Sequence, residues 1–545
     1  MQDRSDDVGS NVTPRTRAKA RHILDNYYIG PARDPHVLEI WAYTPKFSYF
    51  PGDTVAIHSS TTGENWSLEV GRDGAVYEKL LHVENLPGIH HPTPADCSVT
   101  GCNWPVAYKF VVPDDWRAGG YLITLRSQRG TDHVEEHHLI VVRRAKHLPA
   151  APHVLIFATG TWVAYNCWGG SNHYEGITGP KGNAFSPVLS TQRPWTRGFC
   201  KLPSGAPRAL PNIPLQPSEM VRYPYMEWAY AYGYSKKFAS AGWATYERHF
   251  ALWAERAGYD LDFATLHDLH NEPETLNRNK CAVFVGHDEY WSTPMRDAVD
   301  SYVEGGGRVA RFAGNFLWQI RLEDEGRKQI CYKYDATECD PLVGTDEQSL
   351  LTGAWEAMPI DRPGAHTFGA NALRGVYAGL GRCVGNGSGG YTVYRPNHWA
   401  FAGAGLGYGD QLGAASSIFG YEVDGLDYNF SNGLPYPTGN DGASLEINIL
   451  AMGIATTQET DNGVWGETLY ISDSDAIFAA KALHGVVTDE TRNCSSRGNG
   501  VIIHWKKGRG EIFNAATCEW VMGLTRGDQQ VIRVTRNVLD RFGST

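Results

Sequence analysis

Alternating apolar and polar positions become regular after Val37. Segments of this kind occupy residues 38–43, 54–58, 66–70, 108–112, 120–126 and 138–142, with Pro51-Gly52 and Ala118-Gly119-Gly120 as turns. Successive side chains of a strand point to opposite faces, so this period predicts strands buried on one side. Several short strands at such spacing predict a β-sandwich of immunoglobulin-like size over residues 36–147. The charged residues 1–35 read as an arm before it. No catalytic constellation is visible in the sandwich, which reads as a packing or binding module.

After the linker Leu148-Pro-Ala-Ala-Pro152 the period changes. Residues 154–158 and 281–285 are short apolar runs, as in parallel strands covered on both faces, and 259–263 and 308–312 read as further strands of the same sheet. Between them lie helical patterns. One is 243–257, with Tyr246, Phe250, Trp253 and Ala257 on one face. The other carries Met295, Ala298, Val299 and Tyr302, with Thr293-Pro294 read as its N-cap and Gly305-Gly306-Gly307 as its stop. Strand–helix alternation predicts a flavodoxin-like or glutamine-amidotransferase-like α/β domain over residues 151–360. Beyond residue 360 the helical period disappears until about 480. Residues 361–545 read as a β-rich region closing with a hairpin, 501–505 and 510–514, and a helix, 531–542. The expected class is therefore α/β plus β.

Composition leaves this picture globular: 42% of the 545 residues are hydrophobic and 20% charged. A net charge of −11 argues against nucleic acid as a partner. No apolar run reaches the 18 residues of a membrane span. The N-terminus is polar, without the pattern of a signal peptide. Cys97 and Cys102 are close, as are Cys331 and Cys339, but neither pair has the spacing of a zinc site. The ten cysteines are therefore expected to be reduced thiols in a cytoplasmic protein.

The candidate chemistry lies where the apolar strands end. His287, Glu289 and Asn315 follow two of them, and open α/β sheets bind ligands at the carboxyl ends of their strands. A bland alternative is that these loops only cap helices. His267 and His270 follow another strand, and a hydrogen-bonded structural role is the better reading for both. The aromatic, glycine-rich stretch 161–174 reads as a loop at the same edge, without the spacing of a phosphate cradle. A proline-rich insertion over 192–240 contains Tyr223 and Tyr225. An amidotransferase would carry a nucleophilic cysteine after the central strand, where this chain has His287-Asp288-Glu289. No GxSxG occurs either. A metal is another way to polarise a carbonyl. The rival class is a non-catalytic carbohydrate- or partner-binding protein, suggested by the sandwich and the 17 tryptophans.

Three separated motifs sharpen the choice. They are Gly286-His287-Asp288-Glu289-Tyr290-Trp291-Ser292 with its helix and Phe312-Ala313-Gly314-Asn315; Asn397-His398-Trp399 through Gly405; and Gly420-Tyr421-Glu422-Val423-Asp424-Gly425. Together, over about residues 150–540, they resemble the catalytic domain of the N,N-dimethylformamidase large subunit and its relatives. The resemblance implies hydrolysis of a small N-substituted amide at a mononuclear Fe(III) held by two tyrosinates and a glutamate. It implies Glu289 as the glutamate ligand and Tyr174 as one tyrosine. Arg193-Pro194-Trp195 stands where the family has Arg-Pro-Tyr, so the second tyrosine is sought at Tyr225, with Tyr223 and Tyr165 as alternatives. His287 and Asn315 are implied beside the metal, and Glu422 as the general base, against a loop salt bridge. A homo-oligomer is expected. The two-subunit enzyme of the family adds a small subunit and a longer N-terminal region than the arm and sandwich here.

Overall fold

The computed structural model describes residues 29–544 apart from 33, 35, 177–184, 207–223, 378–388, 421 and 457–472. It is a mixed α/β and β structure. The first part packs a three-stranded sheet against a five-stranded one. The three strands are Ile40–Tyr43, Thr54–Thr61 and Val106–Val111; the five are Ser48–Tyr49, Asp132–Val142, Gly119–Arg129, Asn65–Asp73 and Tyr77–Pro87. Alternation places Ile40, Val55, Ile57, Leu68, Val70, Ile123 and Ile140 in the core between them. The edge strand Tyr77–Pro87 escapes the sequence pattern. Glutamate, lysine and histidine interrupt its apolar residues, and most of its side chains are exposed.

A nine-stranded sheet forms the body of the molecule. Its strands in chain order are β1 (His153–Phe157), β2 (Leu261–Thr265), β3 (Cys281–His287), β4 (Arg308–Gly314), β5 (Tyr391–Val393), β6 (Gln411–Leu412), β7 (Asn448–Thr456), β8 (Arg497–Lys507) and β9 (Gly510–Asn514). Across the sheet they run β2-β1-β3-β4-β9-β8-β7-β5-β6. The first five in that list are parallel and the rest antiparallel. β1 and β3 are adjacent although β2 lies between them in sequence. The chain therefore reverses its direction of winding there, which opens a crevice at the carboxyl edge.

Local chemistry explains the elements that border this crevice. Helix α1 (Thr159–Tyr165) follows β1 directly and is buried along its whole length, so residues 159–165 are helical where a loop was expected. Its aromatic, β-branched and glycine residues are weak helix formers in isolation; tertiary burial decides. Gly160 permits the close packing, because a Cβ there would lie 2.3 Å from the Tyr290 carbonyl oxygen. Helix α2 (Glu247–Arg256) covers the β1–β3 face. Helix α3 (Leu266–Asn271) starts with a capping box between Thr265 and Asp268. Helix α4 (Thr293–Glu304) is capped by Ser292, one residue before the expected Thr293. The Ser292 backbone is extended and its hydroxyl accepts from Met295 N–H. A helix over Asp473–His484 lies in the stretch expected to be strands and turns. Helix α5 (Gln529–Ser544) closes the chain, with Val531, Val534, Val538, Leu539 and Phe542 buried.

The two parts of the molecule share buried contacts. Ile29, Trp41, Tyr43, Cys97, Cys102 and Trp104 pack with Cys167 and Trp168 of the crevice wall. Asp73 accepts from Trp243 Nε1 at 2.7 Å and pairs with Arg248, and Arg72 pairs with Glu255. Among the described residues no helix is long and apolar enough to cross a membrane.

Candidate active site

The carboxyl ends of β1, β3 and β4 converge with the β-rich region on one buried cluster. Its centre is Glu289. Oε1 accepts from Tyr174 Oη at 2.7 Å and from Trp318 Nε1 at 2.6 Å. Oε2 accepts from Tyr165 Oη and from Tyr174 Oη, each at 2.9 Å. The Tyr165 and Tyr174 hydroxyls are 2.7 Å apart, and Tyr290 Oη donates to Tyr174 Oη at 3.0 Å. One carboxylate and three phenols thus share a largely buried site. Burial pushes the Tyr174 and Tyr290 phenols well above their ordinary range, and the negative Glu289 pushes them further.

Each tyrosine is placed by its neighbours. Tyr165 ends α1. Tyr174 sits on a turn in which Asn172 Oδ1 accepts from Tyr174 N–H and Glu175 N–H at 2.7 and 2.8 Å. The buried Arg193 guanidinium ties that loop down by donating to the carbonyls of Trp168 and Ser171. The arginine of the Arg193-Pro194-Trp195 motif therefore shapes the loop. Trp195 packs on Phe47, Trp162 and Phe199.

His287 is the last residue of β3. Its Nδ1 donates to the Ser240 carbonyl at 2.8 Å, which turns Nε2 toward Glu422 Oε2 at 2.7 Å and Glu289 Oε2 at 3.2 Å. Burial disfavours charge on the imidazole, but the two carboxylates outweigh it and hold its pKa up at about 10. Burial likewise raises Glu422. Glu289 ends below its ordinary range, because the His287 contacts outweigh its burial. Asn315 has left-handed backbone (φ 65°), and its amide donates to Glu422 Oε2 at 2.7 Å. The buried Asn315 Oδ1 has no hydrogen-bond partner.

Four of the expected residues, His287, Glu289, Asn315 and Glu422, therefore lie together, and Tyr174 joins them. The side chain of Tyr225, on helix Pro224–Tyr232, and all of Tyr223 lie outside the described residues. Tyr165, the third alternative, lies in the cluster. His267 and His270 do not: their Nδ1 atoms bond Thr159 Oγ1 and Ser292 Oγ.

Trp318, which donates to Glu289, escaped the sequence reading, as did three further residues of the site. Lys333 has left-handed backbone (φ 52°) and a buried ammonium without a hydrogen-bond partner, 3.2 Å from the centre of the Tyr174 ring. Arg311, in β4, binds Asp288 and Asp424. Cys518 brings its sulfur into a group with His287 and Glu422 whose potential ligand atoms lie within 4.8 Å of one another. A charged residue inside the apolar strand Arg-Val-Ala-Arg-Phe-Ala-Gly was a legible signal for Arg311. Lys333 and Cys518 stand in no motif.

Comparison with known proteins gives this geometry a context. The family model described as N,N-dimethylformamidase beta subunit-like, C-terminal, matches residues 65–532. The N,N-dimethylformamidase beta subunit of Paracoccus aminophilus is 25% identical over 308 residues. That of an Alcaligenes species is 23% identical over 308 residues. Each match covers 54% of this chain and 36% of the relative, so it spans just over a third of the relatives' own length.

Proposed function

Because the chain belongs to the N,N-dimethylformamidase beta subunit-like family, we propose that it hydrolyses the C–N bond of a small N-substituted amide such as N,N-dimethylformamide. One observation carries the reading. His287, Glu289, Asn315 and Glu422, far apart in sequence, meet with Tyr165 and Tyr174 at the crevice edge. The strand order β2-β1-β3-β4-β9 supports the flavodoxin-like reading of the sheet, and the two facing sheets support the immunoglobulin-like reading of the first domain. A small subunit, a homo-oligomer and a reducing cytoplasmic compartment belong to the same proposal. The free thiols of the described cysteines support the last.

The donor set suits the metal that the family implies. Phenolate and carboxylate oxygens are hard donors, and a trivalent ion nearby favours the anionic phenol. Tyr165, Tyr174 and Glu289 would hold Fe(III), which supplies Lewis-acid polarisation of the amide carbonyl. Glu422 takes the proton of the attacking water and returns it to the nitrogen of the departing amine. Asn315 Nδ2 and His287 orient that carboxylate and offer N–H groups to developing oxyanion charge. Lys333 adds a fixed positive charge above Tyr174. Water and amide are consumed, and a carboxylic acid and an amine are released.

Amine release from a panel of N-substituted amides tests the activity, with Glu422→Gln as the inactive control. A coloured protein whose visible band disappears on iron removal tests the ligands. No amine release from any amide, with iron bound, would leave the rival binding-protein reading standing.

A further inference from the structure

The proline-rich insertion comes back to the crevice in its last turn, residues 235–240. Backbone bonds fix this turn. Ser235 N–H donates to the Arg197 carbonyl at 3.3 Å, and Ser240 N–H donates to the Lys237 carbonyl at 2.9 Å. Arg197 is tied in turn to the first part of the molecule: its Nε donates to Glu136 at 2.6 Å, and its guanidinium lies 5.0 Å from the Trp41 ring centre. The Ser235 hydroxyl accepts from Lys237 N–H at 3.0 Å and lies 3.1 Å from Cys167 Sγ. At the other end the Ser240 carbonyl accepts from His287 Nδ1.

The turn aims one ammonium group at the two tyrosines. Lys237 Nζ lies 4.6 Å from the centre of the Tyr174 ring and 5.7 Å from that of Tyr165. The two ring centres are 4.5 Å apart, so one cation serves both. The carboxylate beside Lys237 is Glu175, the residue after Tyr174, at 4.0 Å. That distance is beyond a hydrogen bond. The same Glu175 oxygen binds Lys236 more closely, and its other oxygen is buried without a hydrogen-bond partner. Glu175 therefore anchors the Lys237 side chain and leaves its charge open to the rings. An aromatic face attracts a cation, and the attraction grows as water is excluded. A phenolate carries a full negative charge and is attracted more strongly than a phenol.

We propose that Lys237 is a positioning residue of the reaction, whose ammonium holds down the electrons of the Tyr174 and Tyr165 phenolates and so limits the charge they give to a bound metal. The inference rests on the proposed function, because Lys237 acts through the tyrosinates. A phenolate under a cation is a weaker donor. A metal with weaker donors remains a stronger Lewis acid toward the amide carbonyl. Lys333 also faces Tyr174, at 3.2 Å, but of the two lysines only Lys237 lies over Tyr165. Lys237 thus tunes both tyrosines at once, and its turn links that effect to His287 through Ser240 and to the first part of the molecule through Arg197.

The test loads the full chain with Fe(III) as wild type, Lys237→Met and Lys237→Arg, and records iron per chain, the visible spectrum and amine-release kinetics. Lys237→Met should keep its iron while its tyrosinate band moves to longer wavelength, because phenolate electrons freed from the cation are promoted at lower energy. Its kcat should fall about tenfold with KM nearly unchanged, the loss of one charge interaction at a buried site. Lys237→Arg, which keeps the charge, should restore both. Lys237→Gln, with a polar head and no charge, should show the same shift and serves if the methionine variant fails to fold. An unmoved band at full iron loading would overturn the role of Lys237 and leave the tyrosine ligands in place. A band that only weakens in step with lost iron would make Lys237 structural and overturn the role as well. An iron-loaded wild type without a visible band would remove the tyrosinates, and this inference with them.

Discussion

Arg311 donates two bonds to Asp288, from Nε at 2.8 Å and from Nη2 at 2.6 Å, and both side chains are buried. The third nitrogen, Nη1, donates to Asp424 at 2.7 Å. Asp424 in turn accepts from Phe316 N–H at 3.1 Å. One guanidinium thus fixes the neighbours of every acidic or amide group at the site. Asp288 lies between His287 and Glu289, Phe316 follows Asn315, and Asp424 is two residues after Glu422. Replacing one partner of a buried ion group leaves uncompensated charge, at a cost of roughly 3–5 kcal/mol. Arg311→Met should therefore lower stability by about that amount in denaturant unfolding. Asp424→Asn, which keeps the shape and one acceptor, should cost clearly less. Equal small losses for both would show that the triad does not organise the site.

The two glutamates should separate by substitution. Glu289→Gln exchanges an anionic donor for a weak neutral one and is expected to abolish iron binding and visible colour. Glu422→Gln cannot accept a proton, so turnover should fall about 10²-fold or more while the colour remains. Iron per chain and amine release, measured on both variants, check this. The reverse pattern would invert the two roles, and full metal with full activity in both would move the site elsewhere.

Much of this arrangement was legible because β3 is a continuous apolar run that stops at Gly286-His287, and β4, interrupted only by Arg308 and Arg311, stops at Gly314-Asn315. A short apolar run ended by glycine fits a parallel strand buried on both faces, and the carboxyl end of such a strand marks the crevice. Helix α1 was not legible. Its Thr-Gly-Thr-Trp-Val-Ala-Tyr sequence has little intrinsic helicity, and only the walls around it make it helical. For the same reason Tyr165 ranked behind Tyr225: a loop tyrosine can point anywhere, whereas the last residue of a buried helix cannot. Cys518 and Lys333 come from the β-rich region and a strained turn, where no period links a residue to a face.

A pH effect on stability should arise away from the metal ligands. Glu247, the first residue of α2, accepts from Ala158 N–H and Trp162 Nε1 at 3.0 and 3.1 Å, and its Oε2 is buried without a partner. Burial raises its pKa to about 7. The folded state therefore holds a proton that the unfolded chain, with an ordinary pKa near 4.3, has lost. Stability from this group is present in full below about pH 4 and falls as pH rises through 7, by roughly 4 kcal/mol at most. Glu247→Gln removes that dependence. The melting temperature of the variant minus that of the wild type should grow between pH 5 and pH 8. A constant difference would show that Glu247 is ionised throughout.

Lys333 should trade stability for function. A buried ammonium without a hydrogen bond is costly, and left-handed backbone at a residue other than glycine adds strain. The surrounding rings of Tyr174, Tyr290, Trp318 and Tyr334, all within 5.6 Å of Nζ, offset only part of this. Lys333→Met keeps the length and removes the charge, so its melting temperature should equal or exceed that of the wild type. The same change removes the cation facing Tyr174 beside Glu289, and kcat/KM should fall at least about tenfold, the loss of one charge interaction at a water-poor site. Thermal melting and amine-release kinetics on one preparation measure both. A variant that is less stable but fully active would make Lys333 a structural residue, its strain unrelated to the reaction.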